Sequence, residues 1–278
     1  MPVHVTPSVA SELLGRYDLR AGVRHGQHFL VDPNTVRRIV RLADIRSDET
    51  ILEIGPGLGS LTVALAEAAR RVVAIEIDRN VARVLEEVLD DVDNVEVVVD
   101  DAMDADLSTL LGGDARLVAN LPYNVATPIF MRVLDDVPEV SGGLVMVQRE
   151  LGERWTADPG SRAYNAVSVR SRYHADVKIV GDVPRTVFMP PPKVASVLVS
   201  FARRPSPAVD VRDEAAFFAF VQSAFAHRRK TLRNSLVAAG KERNIVMHAL
   251  EEAGIAERAR PEDVPLEGYA VLDALLRS

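Results

Sequence analysis

The sequence has no cysteine among its 278 residues. Disulfide bonds, zinc sites built on thiolates and cysteine nucleophiles are therefore excluded. No apolar run approaches the roughly 18–20 residues that a membrane-spanning helix needs. The N-terminal segment also lacks the basic-then-apolar order of a secretory signal. These absences predict a cytoplasmic protein that does not associate with a membrane.

Aromatic residues are scarce at 5%, but apolar residues make up 47% and charged residues 26%, which is typical of a globular protein. The formal net charge of −7 argues weakly against a nucleic-acid partner. The charge is unevenly distributed, however: residues 44–114 carry a net −13 and the remaining residues a net +6. The remainder can therefore form either a basic face or an ordinary mixed surface.

Strands and helices alternate over the first half of the chain. Apolar patterns predict strands at 51–54, 72–77, 95–99, 117–120 and 144–147, with helices at 34–43, 60–69, 80–90 and 127–136. This alternation is typical of a parallel sheet covered by helices, an α/β Rossmann-like architecture. Two later strand patterns, 176–180 and 196–201, predict an antiparallel hairpin at the edge of the sheet.

The C-terminal part of the sequence has a helical pattern. The segment Arg203-Arg204-Pro205-Ser206-Pro207 reads as a linker. Helices are predicted beyond it at 213–226, 228–238, 242–253 and 266–276. We therefore expect two domains: residues 1–204, with an N-terminal arm at 1–25, and a small helical domain at 205–278.

Three predicted strands end in residues that suit an adenosine-containing ligand. Gly55, Gly57 and Gly59 follow the first strand, and glycines at such a turn let the backbone approach a ligand closely. Glu76 ends the next strand and can accept both ribose hydroxyls, while Asp101 ends the third and can accept from an exocyclic amine. A glycine-rich turn alone is a weak signal, but three strand ends together are a strong one.

The fourth strand distinguishes between the two cofactors that fit this layout, NAD and S-adenosylmethionine. The glycine spacing is G-x-G-x-G, whereas dinucleotide folds have G-x-G-x-x-G. The strand ends in the tetrad Asn120-Leu121-Pro122-Tyr123. This tetrad resembles the Asn/Asp-x-Pro-Tyr/Phe motif of class I methyltransferases that modify exocyclic amines. The resemblance implies S-adenosylmethionine.

The residue types of the tetrad suit methylation of adenine N6. The N6 lone pair is conjugated into the ring, so the nitrogen is a poor nucleophile until it is held in the correct geometry. The Asn120 oxygen and the Leu121 carbonyl can accept its two hydrogens, Pro122 stiffens the turn, and Tyr123 can stack on the base. Because the methyl donor is already activated, positioning suffices and neither a metal nor a nucleophile is required.

Four further segments make a closer resemblance: Gly26-Gln27-His28-Phe29-Leu30, Ser161-Arg162-Ala163-Tyr164, Phe188-Met189-Pro190-Pro191-Pro192-Lys193-Val194 and Arg228-Arg229-Lys230-Thr231-Leu232-Arg233-Asn234-Ser235-Leu236. From about residue 24 to 275 the chain resembles the KsgA/RsmA family of ribosomal RNA small-subunit adenine dimethyltransferases. The resemblance implies transfer of four methyl groups to two adjacent adenosines near the 3′ end of 16S rRNA in the immature small subunit, as part of ribosome biogenesis.

The resemblance also implies roles for individual residues. Residues His28 and Leu30 would border the methionine end of the cofactor, and Phe188 would stack on the target base opposite Tyr123. Two residues depart from the family pattern. His28 stands where the family has asparagine, and Asn165 stands where it has glycine. The second departure could alter the backbone conformation.

The basic run Arg228, Arg229, Lys230 and Arg233 is a candidate RNA contact, because helical spacing would put three of these side chains on one face. A solvated helix end is the alternative, which the family resemblance disfavours. Two other functions remain open: an Erm-type methyltransferase of large-subunit rRNA, and a non-catalytic assembly factor with the same fold. We expect a monomer, since RNA docking would supply the partner surface.

Overall fold

The computed structural model describes residues 5–19, 28–227 and 229–277. The chain divides into two compact units. The first unit comprises Met1–Gly152 and Lys178–Arg203, and the second comprises Glu153–Val177 and Arg204–Ser278. No helix within the described ranges is long and apolar enough to cross a membrane.

The strands in chain order are β1 (Phe29–Leu30), β2 (Thr50–Ile54), β3 (Arg71–Glu76), β4 (Val95–Val99), β5 (Ala115–Asn120), β6 (Val140–Gln148), β7 (Ala175–Val183), β8 (Phe188–Met189) and β9 (Ser196–Arg203). The helices are α1 (Pro7–Arg16), α2 (Pro33–Ala43), α3 (Ser60–Ala68), α4 (Arg79–Val88), α5 (Leu107–Leu111), α6 (Ala126–Asp136), α7 (Arg149–Thr156), α8 (Ala166–His174), α9 (Glu214–Phe225), α10 (Leu232–Ala238), α11 (Arg243–Glu252) and α12 (Leu266–Arg277).

The main sheet has the strand order β4-β3-β2-β5-β6-β9-β7. Strands β4, β3, β2, β5 and β6 are parallel, and β9 runs antiparallel to β6. This confirms the Rossmann-like sheet with an antiparallel edge. The central strands are buried on both faces, which explains why they read as continuous apolar runs.

The strand register brings the predicted site residues to one edge of the sheet. Ile54 lies beside Ile75, Glu76 beside Val99, and Asn120 beside Met146. The loops that follow β2, β3, β4 and β5 therefore leave the sheet side by side at its carboxyl edge, where open α/β sheets bind ligands.

The second unit has its own apolar core. The core contains Tyr164, Tyr173, Phe217 and Tyr269, together with apolar residues of α9 to α12. Residues 153–177 therefore pack with the C-terminal helices, whereas the sequence assigned them to the first domain. The second unit begins again at Arg204, one residue before the predicted boundary.

Two local predictions need correction. Helix α10 begins at Leu232, because the Thr231 side chain caps it by accepting from the backbone N–H of Asn234; the sequence predicted a start at 228. Asn165 has an extended backbone, with φ −160°, and caps α8 by accepting from the N–H of Val167. It therefore replaces glycine as a helix cap and needs no left-handed conformation.

Candidate cofactor and target-base site

A cleft of about 470 Å³ lies at the carboxyl edge of the first unit's sheet. This volume is in the range of ordinary small-molecule sites. The cleft is lined by the sequence-predicted residues His28, Leu30, Gly55, Gly57, Glu76, Asn120, Leu121, Pro122 and Tyr123. Most of the candidate cofactor and tetrad residues therefore meet in one cavity.

The glycine-rich turn after β2 depends on two positions without side chains. Gly55 has φ +73°, and a Cβ there would come 3.0 Å from the Pro122 ring. Gly57 has φ +58°, and its Cβ would come 3.0 Å from the Phe29 ring. Both positions require glycine, because the φ angles are positive and a Cβ atom would be too close to a neighbouring ring. Without side chains, the backbone of the turn forms the wall of the cleft directly.

Glu76 is held rigidly at the end of β3. Its two carboxylate oxygens accept hydrogen bonds from the backbone N–H groups of Gly57, at 3.2 Å, and Asp78, at 3.0 Å. Burial raises the pKa of this carboxyl, and the backbone donors oppose the rise. A carboxylate has about four acceptor sites, so two N–H bonds leave capacity for ribose hydroxyls.

Glu53 is a second acid in the cleft, and the sequence analysis did not single it out. Its side chain is 1% exposed, and Oε2 is a buried oxygen without a hydrogen-bond partner in the described structure. Burial raises the pKa of Glu53 to about 8; the charge of Glu76 adds to the rise, and the Thr62 hydroxyl opposes it. An acid-lined cleft suits the cationic S-adenosylmethionine better than the anionic pyrophosphate of NAD.

Asp101 does not line the cleft, although it follows β4 at the same edge. Its side chain accepts from the Met103 N–H at 2.8 Å, which shapes the loop after the strand. Arg132 of α6 holds that loop by donating to the carbonyls of Ala102 and Ala105, the latter at 2.7 Å. No local sequence pattern indicates Arg132, since its partners are backbone atoms about thirty residues away.

Ile77 is a further cleft residue that the sequence analysis missed. It follows Glu76 directly, lines the cleft and is 65% exposed. The predicted strand extended through Ile77, whereas β3 ends at Glu76. An isoleucine directly after a strand-ending carboxylate was the available signal, because such a side chain offers an apolar surface for an adenine ring.

The tetrad is fixed at its first two residues. The Asn120 Nδ2 donates to the His28 carbonyl at 3.4 Å, and the Leu121 N–H donates to the Met146 carbonyl at 3.1 Å. Asn120 Oδ1 is buried and has no partner among the described residues. An unpartnered buried acceptor is costly, and here it belongs to a residue that lines the cleft.

The segments around residues 28 and 188 are far apart in sequence but pair in the structure. Strand β1 runs antiparallel to β8, with Phe29 beside Met189 and Leu30 beside Phe188. The ring Nδ1 of His28 is 2.7 Å from the Pro190 carbonyl oxygen. The side chain of His28 thus connects the segment around residue 28 to the proline-rich loop by a hydrogen bond. Residues 26 and 27 of the first segment lie outside the described residues.

The aromatic rings beside the tetrad differ from the predicted arrangement. Phe188 is 2% exposed and meets Tyr123 edge to face, with ring centroids 6.3 Å apart and planes at 74°. Its faces are covered by the core, so it does not form a second parallel wall opposite Tyr123. Phe188 instead packs roughly perpendicular to the Tyr123 ring.

The basic run is only partly exposed. Arg229 and Lys230 are exposed in the turn before α10, so they do not share a helix face with Arg233 as predicted. Arg233 is paired with Glu257, and its side chain is 23% exposed. Arg228 lies outside the described residues. Arg229 and Lys230 are therefore the two members of the run that the structure presents to solvent.

The segment after α11 carries two more exposed arginines next to the basic run. The N–H of Leu232 donates to the Ala259 carbonyl at 2.8 Å, which ties this segment to the start of α10. Arg258 and Arg260 on it are exposed. Their position could not be predicted from the sequence, because a hydrogen bond between distant segments brings them near residues 229–233.

Comparison with known proteins gives matches over nearly the whole chain. The family model described as Ribosomal RNA adenine dimethylase matches residues 19–273. The Ribosomal RNA small subunit methyltransferase A of Alkaliphilus metalliredigens (strain QYMF) is 41% identical, over 96% of this chain and 96% of that protein. The protein of the same name from Bacillus mycoides (strain KBAB4) is 39% identical, over 98% and 96% respectively.

Two solved structures share the fold over most of the chain. A dimethyladenosine transferase from Plasmodium falciparum has a TM-score of 0.75 at 25% identity, covering 88% of this chain and 96% of that one. The 23S rRNA methyltransferase ErmE has a TM-score of 0.70 at 30% identity, covering 90% of this chain and 100% of that one.

Proposed function

This chain belongs to the ribosomal RNA adenine dimethylase family, and on that premise we propose that it dimethylates N6 of two adjacent adenosines near the 3′ end of 16S rRNA. S-adenosylmethionine is the methyl donor. The observation that carries the proposal is Oδ1 of Asn120, a buried acceptor that has no hydrogen-bond partner among the described residues and belongs to a residue that lines an acid-walled cleft.

The reaction requires positioning of N6 more than activation of the donor. When bound, S-adenosylmethionine supplies a methyl group on a positively charged sulfur, which is a good leaving group. Asn120 Oδ1 accepts one N6 hydrogen and the Leu121 carbonyl the other, so that the lone pair is directed toward the methyl group. N6 would take the methyl carbon as that carbon leaves the sulfur, and it would then release one proton to water.

The cleft residues have separate tasks in this scheme. Glu76 holds the ribose, Gly55 lets the backbone approach the cofactor, and His28 and Leu30 border its methionine end. Asp101 lies outside the cleft lining, in the loop that Arg132 holds at the same edge of the sheet, and from there it would accept a hydrogen bond from the adenine amine of the cofactor. The base must leave its helix to reach the tetrad, and Tyr123 offers a stacking surface that partly offsets that cost.

Small-subunit rRNA is the favoured substrate. The curated relatives at 39% and 41% identity carry the small-subunit name over nearly their full length, whereas the 23S rRNA methyltransferase has a lower identity of 30%. We propose that the protein acts in the cytoplasm, as a monomer, on an immature small subunit. Arg229, Lys230 and Arg228 would contact its phosphates.

A methyl-transfer assay on a panel of substrates tests this function. Immature small subunits, mature unmethylated small subunits and protein-free 23S rRNA would be incubated with the enzyme and labelled S-adenosylmethionine. We expect label on the immature small subunit, in the form of four methyl groups on two neighbouring adenosines. Preferential labelling of 23S rRNA would identify an Erm-type activity, and absence of label on all three would identify a non-catalytic factor.

A further inference from the structure

The hydroxyl of Tyr123 has a partner that the scheme above leaves unused. Tyr123 Oη lies 2.6 Å from Ser196 Oγ. Ser196 is fully buried, with 0% exposure. A buried serine hydroxyl without a hydrogen-bond partner has a desolvation cost. Here its partner is the hydroxyl of Tyr123, whose ring lines the cleft.

The backbone of Ser196 is held firmly. It is the first residue of β9 and lies beside Gln148, the last residue of β6. The carbonyl of the preceding Ala195 accepts the Arg149 N–H at 3.0 Å. Because pairing with the end of β6 holds the backbone of Ser196, its hydroxyl has a defined position for the residue that bonds to it.

Tyr123 itself lies in a short turn between β5 and α6. The turn is closed by a single backbone bond, from the Val125 N–H to the Pro122 carbonyl at 3.1 Å. Phe188 packs roughly perpendicular to the ring, with centroids 6.3 Å apart, and the His28 ring lies at a 5.5 Å centroid distance with a 34° tilt. The hydroxyl bond is therefore the directional contact that ties the far end of the ring to the sheet.

We propose that Ser196 is a positioning residue for the target adenine, fixing the position of the far end of the Tyr123 ring against which the base stacks. This inference rests on the proposed function of the tetrad. Two successive methyl transfers need the same base to meet the cleft in the same orientation, first with an amino group and then with the bulkier methylamino group. A fixed ring position serves the second transfer most.

The test is a double-mutant cycle of Ser196→Ala and Tyr123→Phe. Each variant removes the same hydrogen bond and retains the aromatic ring, so each should lower kcat by about 3- to 10-fold, as expected for one hydrogen bond. The double variant should be no slower than either single variant. Cofactor affinity should not change, and monomethylated adenosine should accumulate.

A spectroscopic signal separates positioning from stability. RNA with 2-aminopurine in place of the target adenosine reports base stacking by quenching of its fluorescence. We expect Ser196→Ala and Tyr123→Phe to lose the same part of the quenching seen with the wild-type protein. Ser171→Ala is the matched control, because Ser171 is also fully buried and its hydroxyl has no hydrogen-bond partner in the described structure; it should match the wild type.

Several outcomes would overturn the inference. Additive losses in the cycle would show that the two residues act independently, and wild-type kcat and quenching in either variant would show that the bond does not matter. If Ser196→Ala does not fold, Tyr123→Phe decides alone, since it breaks the bond from the cleft side. If the wild-type enzyme fails to methylate the small subunit, the proposed function itself fails, whereas a loss confined to these variants concerns only Ser196.

Discussion

At the scale of single residues, Glu53 is a buried carboxyl in the cleft whose ionisation lowers the stability of the folded protein. Its carboxyl is fully enclosed at the end of β2, next to a second acid on β3. Burial raises its pKa to about 8, so at neutral pH the group is mainly protonated. A cation bound in the cleft would favour the charged form, because opposite charges stabilise each other in a poorly solvated site.

This carboxyl makes the stability of the cofactor-free protein depend on pH. A raised pKa means that the folded state holds the proton more tightly than the unfolded chain, so the stability is fully present below the ordinary glutamate pKa and is lost as pH rises toward 8. We expect the wild-type Tm to fall between about pH 5 and pH 8. Glu53→Gln should melt higher at pH 8 and show a flatter profile.

Calorimetric melting at several pH values, without cofactor, checks this prediction. Glu76 contributes a slope of the same sign, because burial raises its pKa as well, so some slope should remain in the variant. Parallel profiles for the wild type and Glu53→Gln would show that Glu53 is not the titrating group.

The tetrad and the acidic strand ends could be predicted from the sequence because their signals are local. Gly55 and Glu76 each end a strand whose apolar pattern is clear, and parallel strands place their carboxyl ends together. The partners of these residues could not be predicted. The bond between Tyr123 and Ser196 and the contact between His28 and Pro190 join positions that are far apart in sequence and depend on the sheet register.

At the scale of elements, the fold brings loops to the cleft and then holds them with side chains from elsewhere. Strands β1 and β8 pair two segments that are about 160 residues apart in the sequence. Helix α10 illustrates the opposite case, since its start was predictable: Thr231 is a strong N-cap residue placed directly before Leu232. The predicted helix included the basic residues before Thr231 and therefore began at 228, four residues too early.

Arg132 should matter for cofactor binding even though it does not line the cleft. It donates to two carbonyls of the loop that follows Asp101. Arg132→Met leaves those carbonyls unpaired and loosens the loop, so we expect cofactor affinity to fall by about 3- to 10-fold, which corresponds to one hydrogen bond. Titration calorimetry with S-adenosylmethionine measures the affinity of the variant and of the wild type.

Arg116→Met is the matched control for this variant. Arg116 is also a half-buried arginine that donates to a carbonyl, that of Asp44 at 3.0 Å, and it pairs in addition with Glu49 at 3.4 Å. It lies near the start of β5 and so at the opposite edge of the sheet. Both variants should lose stability, and only Arg132→Met should lose cofactor affinity. Equal affinities for the two variants would exclude a role for Arg132 in shaping the site.

At the scale of the whole molecule, the chain separates an acidic cofactor cleft from a helical unit with exposed basic residues. The sequence predicted two domains, but not that residues 153–177 belong to the second. Their apolar residues, including Tyr164 and Tyr173, pack in the core of that unit. Packing between segments that are distant in sequence decides such a division, and no local pattern reveals it.

Charge reversal in the second unit tests its proposed role in RNA binding. Arg229→Glu combined with Lys230→Glu should weaken small-subunit binding and flatten the salt dependence of log K by roughly 1–2 units, because each phosphate contact releases about one counterion. Cofactor affinity should stay at the wild-type value. Binding measured at three salt concentrations checks this; an unchanged slope in a folded variant would mean that the two side chains are merely solvated.

The central claim is that Asn120 presents the adenine nitrogen for methyl transfer, and one variant tests it most directly. Small-subunit binding and single-turnover methylation would be measured side by side for the wild type and Asn120→Ala. The account predicts that the rate falls by about two to three orders of magnitude, as for loss of a preorganised hydrogen bond to a reacting group, while RNA affinity stays within about 2-fold, because phosphate contacts dominate it. A parallel fall in rate and affinity would contradict the claim and make Asn120 a docking residue.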